Sequence, residues 1–194
     1  VEALKTKLLT EPILHADETP VAQLDPGAGK TKRAYLFAWR SAHTEPIVVF
    51  DYCPSRAGKH AQAFLGEWKG ALMVDDYVGY KALFATGITE LACWAHARRV
   101  FFDAHKASAS PLAEEALRRM GEFYAIAATL RGLDDATRSI ERKHRLGAWL
   151  AVFKHWLDAA QAQTLGNSGV RKAIEYTQRR WPALARVIED DAYP

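Results

Sequence analysis

At 194 residues, 49% apolar and 25% charged, the chain has the size and make-up of a soluble globular protein with one large domain or two small ones. A net charge of +3 permits an acidic partner such as nucleic acid without requiring one. Two cysteines, Cys53 and Cys93, argue against a disulfide scaffold and fit a reducing cytosol, and no apolar run approaches the ~20 residues of a membrane helix.

The opening Val1-Glu2-Ala3-Leu4-Lys5-Thr6-Lys7 has neither the charge order nor the hydrophobicity of a signal peptide. Without an initiating methionine it reads as a piece of a longer chain. Leu4, Leu8 and Leu9 sit at helical spacing, and Pro12 ends that helix. Residues 13–16 predict a short strand, which residues 21–24 could prolong past the Thr19-Pro20 break. Asp25-Pro26-Gly27-Ala28-Gly29 is a turn cluster followed by the basic Lys30-Thr31-Lys32-Arg33. Strands are predicted over 34–40, with Tyr35, Phe37 and Trp39 on one face, and over 46–52. Together the three suggest an antiparallel meander.

A helix carrying Ala61, Phe64, Leu65 and Trp68 leads to a strand over 72–75, which a helical crossover makes parallel to its neighbour. A short helix over 80–85 and a fifth strand over 90–94 follow. The remainder is helical. Ser110-Pro111 caps one helix, with Leu112, Leu117, Met120, Tyr124, Ala127 and Leu130 as its expected inner face. A second carries Leu146, Trp149, Phe153, Trp156 and Leu157; a third starts near Val170 and is kinked or restarted by Pro182. The six tryptophans fall mainly at apolar positions and are expected to pack in cores. The order β-β-β-α-β-α-β-α predicts an α/β fold with a mixed five-stranded sheet of RNase H-like type, followed by an all-helical segment. Residues 1–105 would form the core and 106–194 a helical insertion.

Two strand ends carry acids: Asp17 after residues 13–16, and Asp75-Asp76 after 72–74. An acid at the end of a buried strand is costly unless paired. If the first and fourth strands are neighbours, their axes lie ~4.8 Å apart, and two charges ~4 Å apart repel by about 4 kcal/mol at an effective dielectric near 20. Hard divalent cations relieve that repulsion, and a pair of them can activate an attacking oxygen and stabilise a leaving one. Read plainly, Asp17 caps a turn and Asp75-Asp76 open a loop. Around these acids Lys30, Lys32, Arg33, Arg56, Lys59, His60, Arg98 and Arg99 could hold phosphates, or simply form a solvated surface.

Other chemistries fit less well. Gly27-Ala28-Gly29-Lys30-Thr31 looks like the tail of a P-loop, but Leu24 stands where its first glycine belongs. Cys93-x-x-His96 with Cys53 or His60 gives one tight ligand pair where a structural zinc takes four ligands. His15, His60 and His96 could serve as bases for a serine or cysteine nucleophile, yet there is no G-x-S-x-G elbow.

Four motifs occur in order: His15-Ala16-Asp17-Glu18-Thr19-Pro20-Val21, Phe50-Asp51-Tyr52-Cys53-Pro54-Ser55-Arg56, Asp75-Asp76-Tyr77-Val78-Gly79-Tyr80 and Cys93-Trp94-Ala95-His96-Ala97-Arg98-Arg99. Together they resemble the catalytic region of the insertion sequence 66 family of bacterial DDE transposases. The resemblance implies an RNase H-like core using an Asp-Asp-Glu triad with Mg²⁺ or Mn²⁺, Asp17 matching the first acid and Asp75 the second. Asp76 stands where the family usually has glycine. The third acid would follow a helical insertion, in an asparagine-rich motif that would begin at about Asp191-Ala192-Tyr193-Pro194. Neither Glu189 nor Asp190 matches it.

The implied activity is metal-dependent cleavage and strand transfer at insertion-sequence ends, in the bacterial cytoplasm. Its partners are transposon-end and target DNA, no membrane, and a homo-oligomer of the full-length protein is compatible with it. Arg98, Arg99 and His96 would position DNA or support the acids, and the 194 residues alone would be catalytically deficient. The alternatives are another RNase H-like nuclease and a non-catalytic nucleic-acid-binding or assembly module.

Overall fold

A three-stranded meander extended by two parallel strands forms the first part of the molecule, as the strand pattern predicts. The computed structural model describes residues 1–42, 46–190 and 192–193. The chain divides into two compact units, Val1–Ala92 and Cys93–Pro194.

In the first unit, α1 (Glu2–Leu8) precedes β1 (Ile13–Leu24), β2 (Thr31–Ser41) and β3 (Val48–Cys53). Then come α2 (Lys59–Leu65), β4 (Ala71–Val74), a 3₁₀ turn at Val78–Tyr80, α3 (Lys81–Phe84) and β5 (Thr89–Ala92). The sheet order is β3-β2-β1-β4-β5; β1, β2 and β3 pair antiparallel, and β4 runs parallel to both β1 and β5. Alternation sends Leu14 and Ala16 of β1, Phe37 and Trp39 of β2, and Leu72 and Val74 of β4 into one core. There Trp39 stacks on Phe64 of α2 with ring centroids 4.4 Å apart.

Several strand boundaries differ from the sequence reading, two of them for a clear reason. β1 does not break at Thr19-Pro20 but runs twelve residues. β4 pairs with it only at residues 13–15, so from Pro20 onward β2 is its sole partner, across from Tyr35. A proline is tolerated at such an edge, where its missing N–H interrupts no ladder. The fifth strand ends at Ala92 rather than running on to residue 94, because Cys93 is already the N-cap of the next helix.

The second unit contains α4 (Trp94–Ser108), α5 (Pro111–Leu130), α6 (Asp135–Ala162), α7 (Gly169–Arg179) and α8 (Trp181–Ala185), with a last 3₁₀ turn at Arg186–Ile188. Ser110, Asp134 and Ser168 each accept a backbone N–H from three residues on, so the long helices start where their capping residues stand. Pro182 lies in the first turn of α8, the restart its position predicts. The sequence reading divides the chain after residue 105. The compact units divide at 92/93, with α4 packed against α5 and α7.

The expected inner face of α5 is rotated. Ala113, Ala116, Met120, Phe123 and Leu130 are buried, while Leu112 and Leu117 are half-buried and Tyr124 is exposed. Two alanines let the neighbouring helix approach closely, and the bulkier leucines flank that contact. Trp94, Phe123, Trp149, Phe153 and Trp181 form one aromatic cluster, with Trp149 stacked on Phe153 at 4.6 Å. Two indoles of this cluster find carbonyls: Trp94 Nε1 donates to Leu184 at 3.1 Å and Trp149 Nε1 to Arg119 at 3.1 Å. Trp39, Trp68, Trp94 and Trp149 are all buried, as expected of core residues.

Candidate functional site

In the first unit Asp17 lies inside β1, just past the stretch paired with β4, and Asp75 directly follows the end of β4. The parallel ladder pairs Ile13 with Ala71, Leu14 with Leu72 and His15 with Met73. Asp17 and Asp75 each lie two residues past the last pair, so continuing the register sets them abreast and on the same side of the sheet. Asp17 is exposed, and its Oδ1 accepts the backbone N–H of Glu18 at 2.9 Å. Asp75 is half-buried; its Oδ1 accepts the N–H of Tyr77 at 2.8 Å, which turns the chain away from the sheet. Asp17 forms no ion pair among the described residues.

Asp76 takes a different role from its neighbour. Lys81 Nζ lies 3.3 Å from its carboxylate and 3.2 Å from that of Glu90, so one cation bridges two acids. This separation follows from the alternation that sends successive side chains opposite ways.

Between the two candidate acids the structure builds a network that the sequence reading did not contain. Glu18 is in phase with Leu14 and Ala16, so its side chain turns inward and is fully buried. Its Oε1 accepts Arg56 Nε at 2.8 Å and also Nη2, and its Oε2 accepts the Tyr80 hydroxyl. Arg56 lies over the Tyr77 ring at 3.8 Å. The Tyr77 hydroxyl donates to the Arg56 carbonyl. The same Arg56 Nη2 lies 3.9 Å from Asp75 Oδ2, within electrostatic reach but beyond a hydrogen bond.

Burial pushes the Glu18 carboxyl up, against the lowering effect of its bonds from Tyr80 and Arg56. Burial also works against the Arg56 charge, but the hydrogen bonds and charge of Glu18 more than restore it. Burial, and then the bond to Glu18, raise the Tyr80 phenol. The clue was available: the strand phase that buries Leu14 and Ala16 also buries Glu18.

The loop holding Arg56 is seated directly on the turn after Asp75. A Cβ on Gly58 would come within 2.2 Å of the Gly79 carbonyl oxygen, and one on Gly79 within 2.2 Å of the Tyr77 ring. Only glycine permits this contact between the two backbones.

The remaining basic residues are spread out. Lys30, Lys32 and Arg33 stand exposed at the free end of the β1–β2 hairpin, whose turn places Gly27 and Gly29 at φ 87° and 65°. They form no ion pair among the described residues. Lys59 is exposed at the start of α2, and His60 Nε2 lies 3.0 Å from Ser55 Oγ. In the helical unit His96, Arg98 and Arg99 line a shallow groove along α4 with Ala95, Phe102 and Asp103. Burial opposes ionisation of Cys93, but its bonds with His96 and the start of α4 outweigh that and lower its pKa. Burial, reinforced by Asp51, pushes Cys53 up to about 11.

Among the described residues no three His, Cys, Asp or Glu side chains converge as a metal cluster. What the first unit offers a cation is the pair Asp17 and Asp75. Two carboxylates with open oxygens are a hard donor set that suits Mg²⁺ or Mn²⁺, which commonly take one or two carboxylates and fill the rest with water and phosphate oxygens.

Comparison with known proteins gives this arrangement a setting. Three proteins of Sinorhizobium fredii (strain NBRC 101917 / NGR234) are similar, each carrying the name of an uncharacterised protein. The protein y4qI is 32% identical over 90% of this chain and 35% of its own length. The protein y4jD is 30% identical over 93% of this chain and 38% of its own, and y4hP is 29% identical over 91% and 36%. The chain thus spans just over a third of the length of these relatives. No helix among the described residues is long and apolar enough to cross a membrane. The sequence model of the IS66 transposase family matches from residue 1 to residue 194, and the chain belongs to that family.

Proposed function

We propose that the sheet unit is the metal-holding part of a DDE-type transposase, and that the parent protein cuts DNA at insertion-sequence ends and joins the freed end to target DNA. The observation that carries this reading is the β1–β4 register, whose continuation sets Asp17 beside Asp75. The strand order β3-β2-β1-β4-β5, an antiparallel meander followed by two parallel strands, supports an RNase H-like fold. Family membership supports the reaction class.

Asp17 and Asp75 would hold Mg²⁺ or Mn²⁺, which when bound supplies Lewis-acid polarisation of a phosphodiester and activation of the attacking oxygen. Glu18 is unsuited to join them, since Arg56 and Tyr80 occupy its oxygens. Asp76 is engaged by Lys81. Lys30, Lys32 and Arg33, with Lys59 and His60, would grip the phosphate backbone, giving salt-dependent affinity without reading sequence. His96, Arg98 and Arg99 would do the same from the helical unit. The bacterial cytoplasm, with DNA as partner and the full-length protein as a homo-oligomer, belongs to the same reading.

With two acids and no third that could join them in holding a metal among the described residues, these 194 residues should bind Mn²⁺ weakly and leave DNA intact. Mn²⁺ titration should show binding that falls at least about tenfold in Asp17→Asn and in Asp75→Asn, as expected when one of two anionic ligands is removed. Robust metal-dependent nicking by these residues, lost in Asp75→Ala, would overturn the view that the site is partial.

The exposed, unpaired basic hairpin favours a second reading, a non-catalytic nucleic-acid-binding module. That reading gains if Mn²⁺ does not bind while salt-dependent DNA binding persists unchanged in Asp17→Ala.

A further inference from the structure

Glu18 and Arg56 are an unusual expenditure of charge. The Glu18 carboxylate is fully buried and loses its solvation, while its partner Arg56 keeps 40% of its side chain exposed. This pair is also placed pointedly. Glu18 is next to Asp17 in β1, and Arg56 Nη2, bonded to Glu18, lies 3.9 Å from Asp75 Oδ2.

The asymmetry is informative. A guanidinium beside a partly exposed carboxylate would ordinarily close to a hydrogen bond of 2.7–2.9 Å, often through two parallel contacts. Arg56 instead gives Nε and Nη2 to Glu18, lies over the Tyr77 ring, and stops short of Asp75. The close contact of Gly58 with Gly79, and the bond from the Tyr77 hydroxyl to the Arg56 carbonyl, fix the backbone from which Arg56 reaches. Its position is therefore set by Glu18 and Tyr77, and Asp75 keeps Oδ2 free of any hydrogen bond from it.

We propose that Glu18 is a positioning residue that withholds Arg56 from Asp75. By anchoring and neutralising the guanidinium, it keeps the second acid available to a divalent cation. The proposal rests on the reading of Asp75 as a metal-holding acid. It assigns Glu18 a function through charge, where the resemblance assigns it none, and it takes Arg56 out of the set of arginines free to grip phosphate.

The test is Mn²⁺ binding to the 194-residue chain, followed by electron paramagnetic resonance of the free ion, with circular dichroism to confirm folding. In Glu18→Gln the shape is kept but the countercharge is lost. Arg56 then pairs with Asp75, and Mn²⁺ affinity should fall about five- to tenfold, the scale of one partly exposed ion pair that the metal must displace. In the double variant Glu18→Gln/Arg56→Gln the competing cation is gone, and affinity should return to within about threefold of the parent.

A merely structural role makes the opposite prediction, since two lesions in one network should leave the double variant no better than the single. Parental affinity in a folded Glu18→Gln, or a folded double variant no better than Glu18→Gln, overturns the proposal. If Glu18→Gln does not fold, the double variant decides alone: near-parental affinity supports the proposal, and a loss of tenfold or more overturns it. Asp75→Asn separates the two levels. If the parent binds no Mn²⁺, or binds it equally well in Asp75→Asn, the metal reading fails and takes this proposal with it. If binding depends on Asp75 while Glu18→Gln has no effect, only the proposal fails.

Discussion

The two units differ in how they hold their acids. In the sheet unit an acid is buried beside the candidate site and held by an arginine and a tyrosine. In the helical unit the paired acids lie along the helix surfaces, in i,i+3 and i,i+4 bridges such as Glu115–Arg118, Arg118–Glu122, Lys154–Asp158 and Arg171–Glu175. Bridges of that kind contribute little each. The interior of the helical unit is stacked aromatic rings instead. The contrast separates acids that a fold carries for solvation from acids that it must hold in place, and it gives the first group no claim on function.

The largest effect should come from breaking the aromatic interior. Phe153→Ala, which removes a ring buried against Trp149 and Trp94, is expected to destabilise the helical unit by about 3–5 kcal/mol in denaturant unfolding. A cost below 1 kcal/mol would mean that the cluster is loosely packed. Next is the glycine contact in the sheet unit. Gly58→Ala drives a methyl to 2.2 Å from the Gly79 oxygen, and an overpacking cost of about 1–3 kcal/mol is expected. Wild-type stability in that variant would show that the loop and the turn are not held together.

The smallest effect should be at Glu115. A hydrogen bond from Arg118, against a small burial cost and aided by the charges of Arg118 and Arg119, holds its carboxyl down to about 2. A depressed carboxyl contributes stability that is present above its unfolded value near 4.5 and is lost as pH falls towards 2. Because the group is exposed, solvent screens most of that gain. Thermal unfolding of Glu115→Gln should therefore trail the parent only slightly at pH 7 and converge with it by about pH 2. A large gap at neutral pH would break the comparison between the units.

Much of this arrangement is legible in the residues. The five strands, the parallel crossover to β4 and Asp75 at the end of β4 follow from apolar alternation interrupted by turn residues, whereas Asp17, expected to end a short strand, lies inside the longer β1. The capped helix starts at Ser110 and the restart at Pro182 follow from side-chain hydrogen bonding and from the locked φ of proline. The rest depends on tertiary partners. Pro20 looks like a strand end until it is known that β4 has already stopped pairing there. Cys93 and Trp94 continue a β-like run but are captured by a helix. The face of α5 is chosen by how closely its neighbours approach, which periodicity alone does not fix. Arg56 was legible only as a basic residue near a turn, because its partner Glu18 lies 38 positions away in the chain.

Pro20 has one more consequence. A proline inside an unbroken ladder must turn its nitrogen away from the partner strand, so on β1 that nitrogen lies on the outer edge, beyond the reach of β4. There it denies a donor to any incoming strand. Just beyond Pro20 the hairpin narrows to a short two-stranded ribbon, residues 21–24 paired with 31–34, and an unpaired strand edge is the kind of surface on which chains stack and aggregate. The missing donor at Pro20 interrupts that template at the base of the ribbon, whose lysines and arginine are exposed.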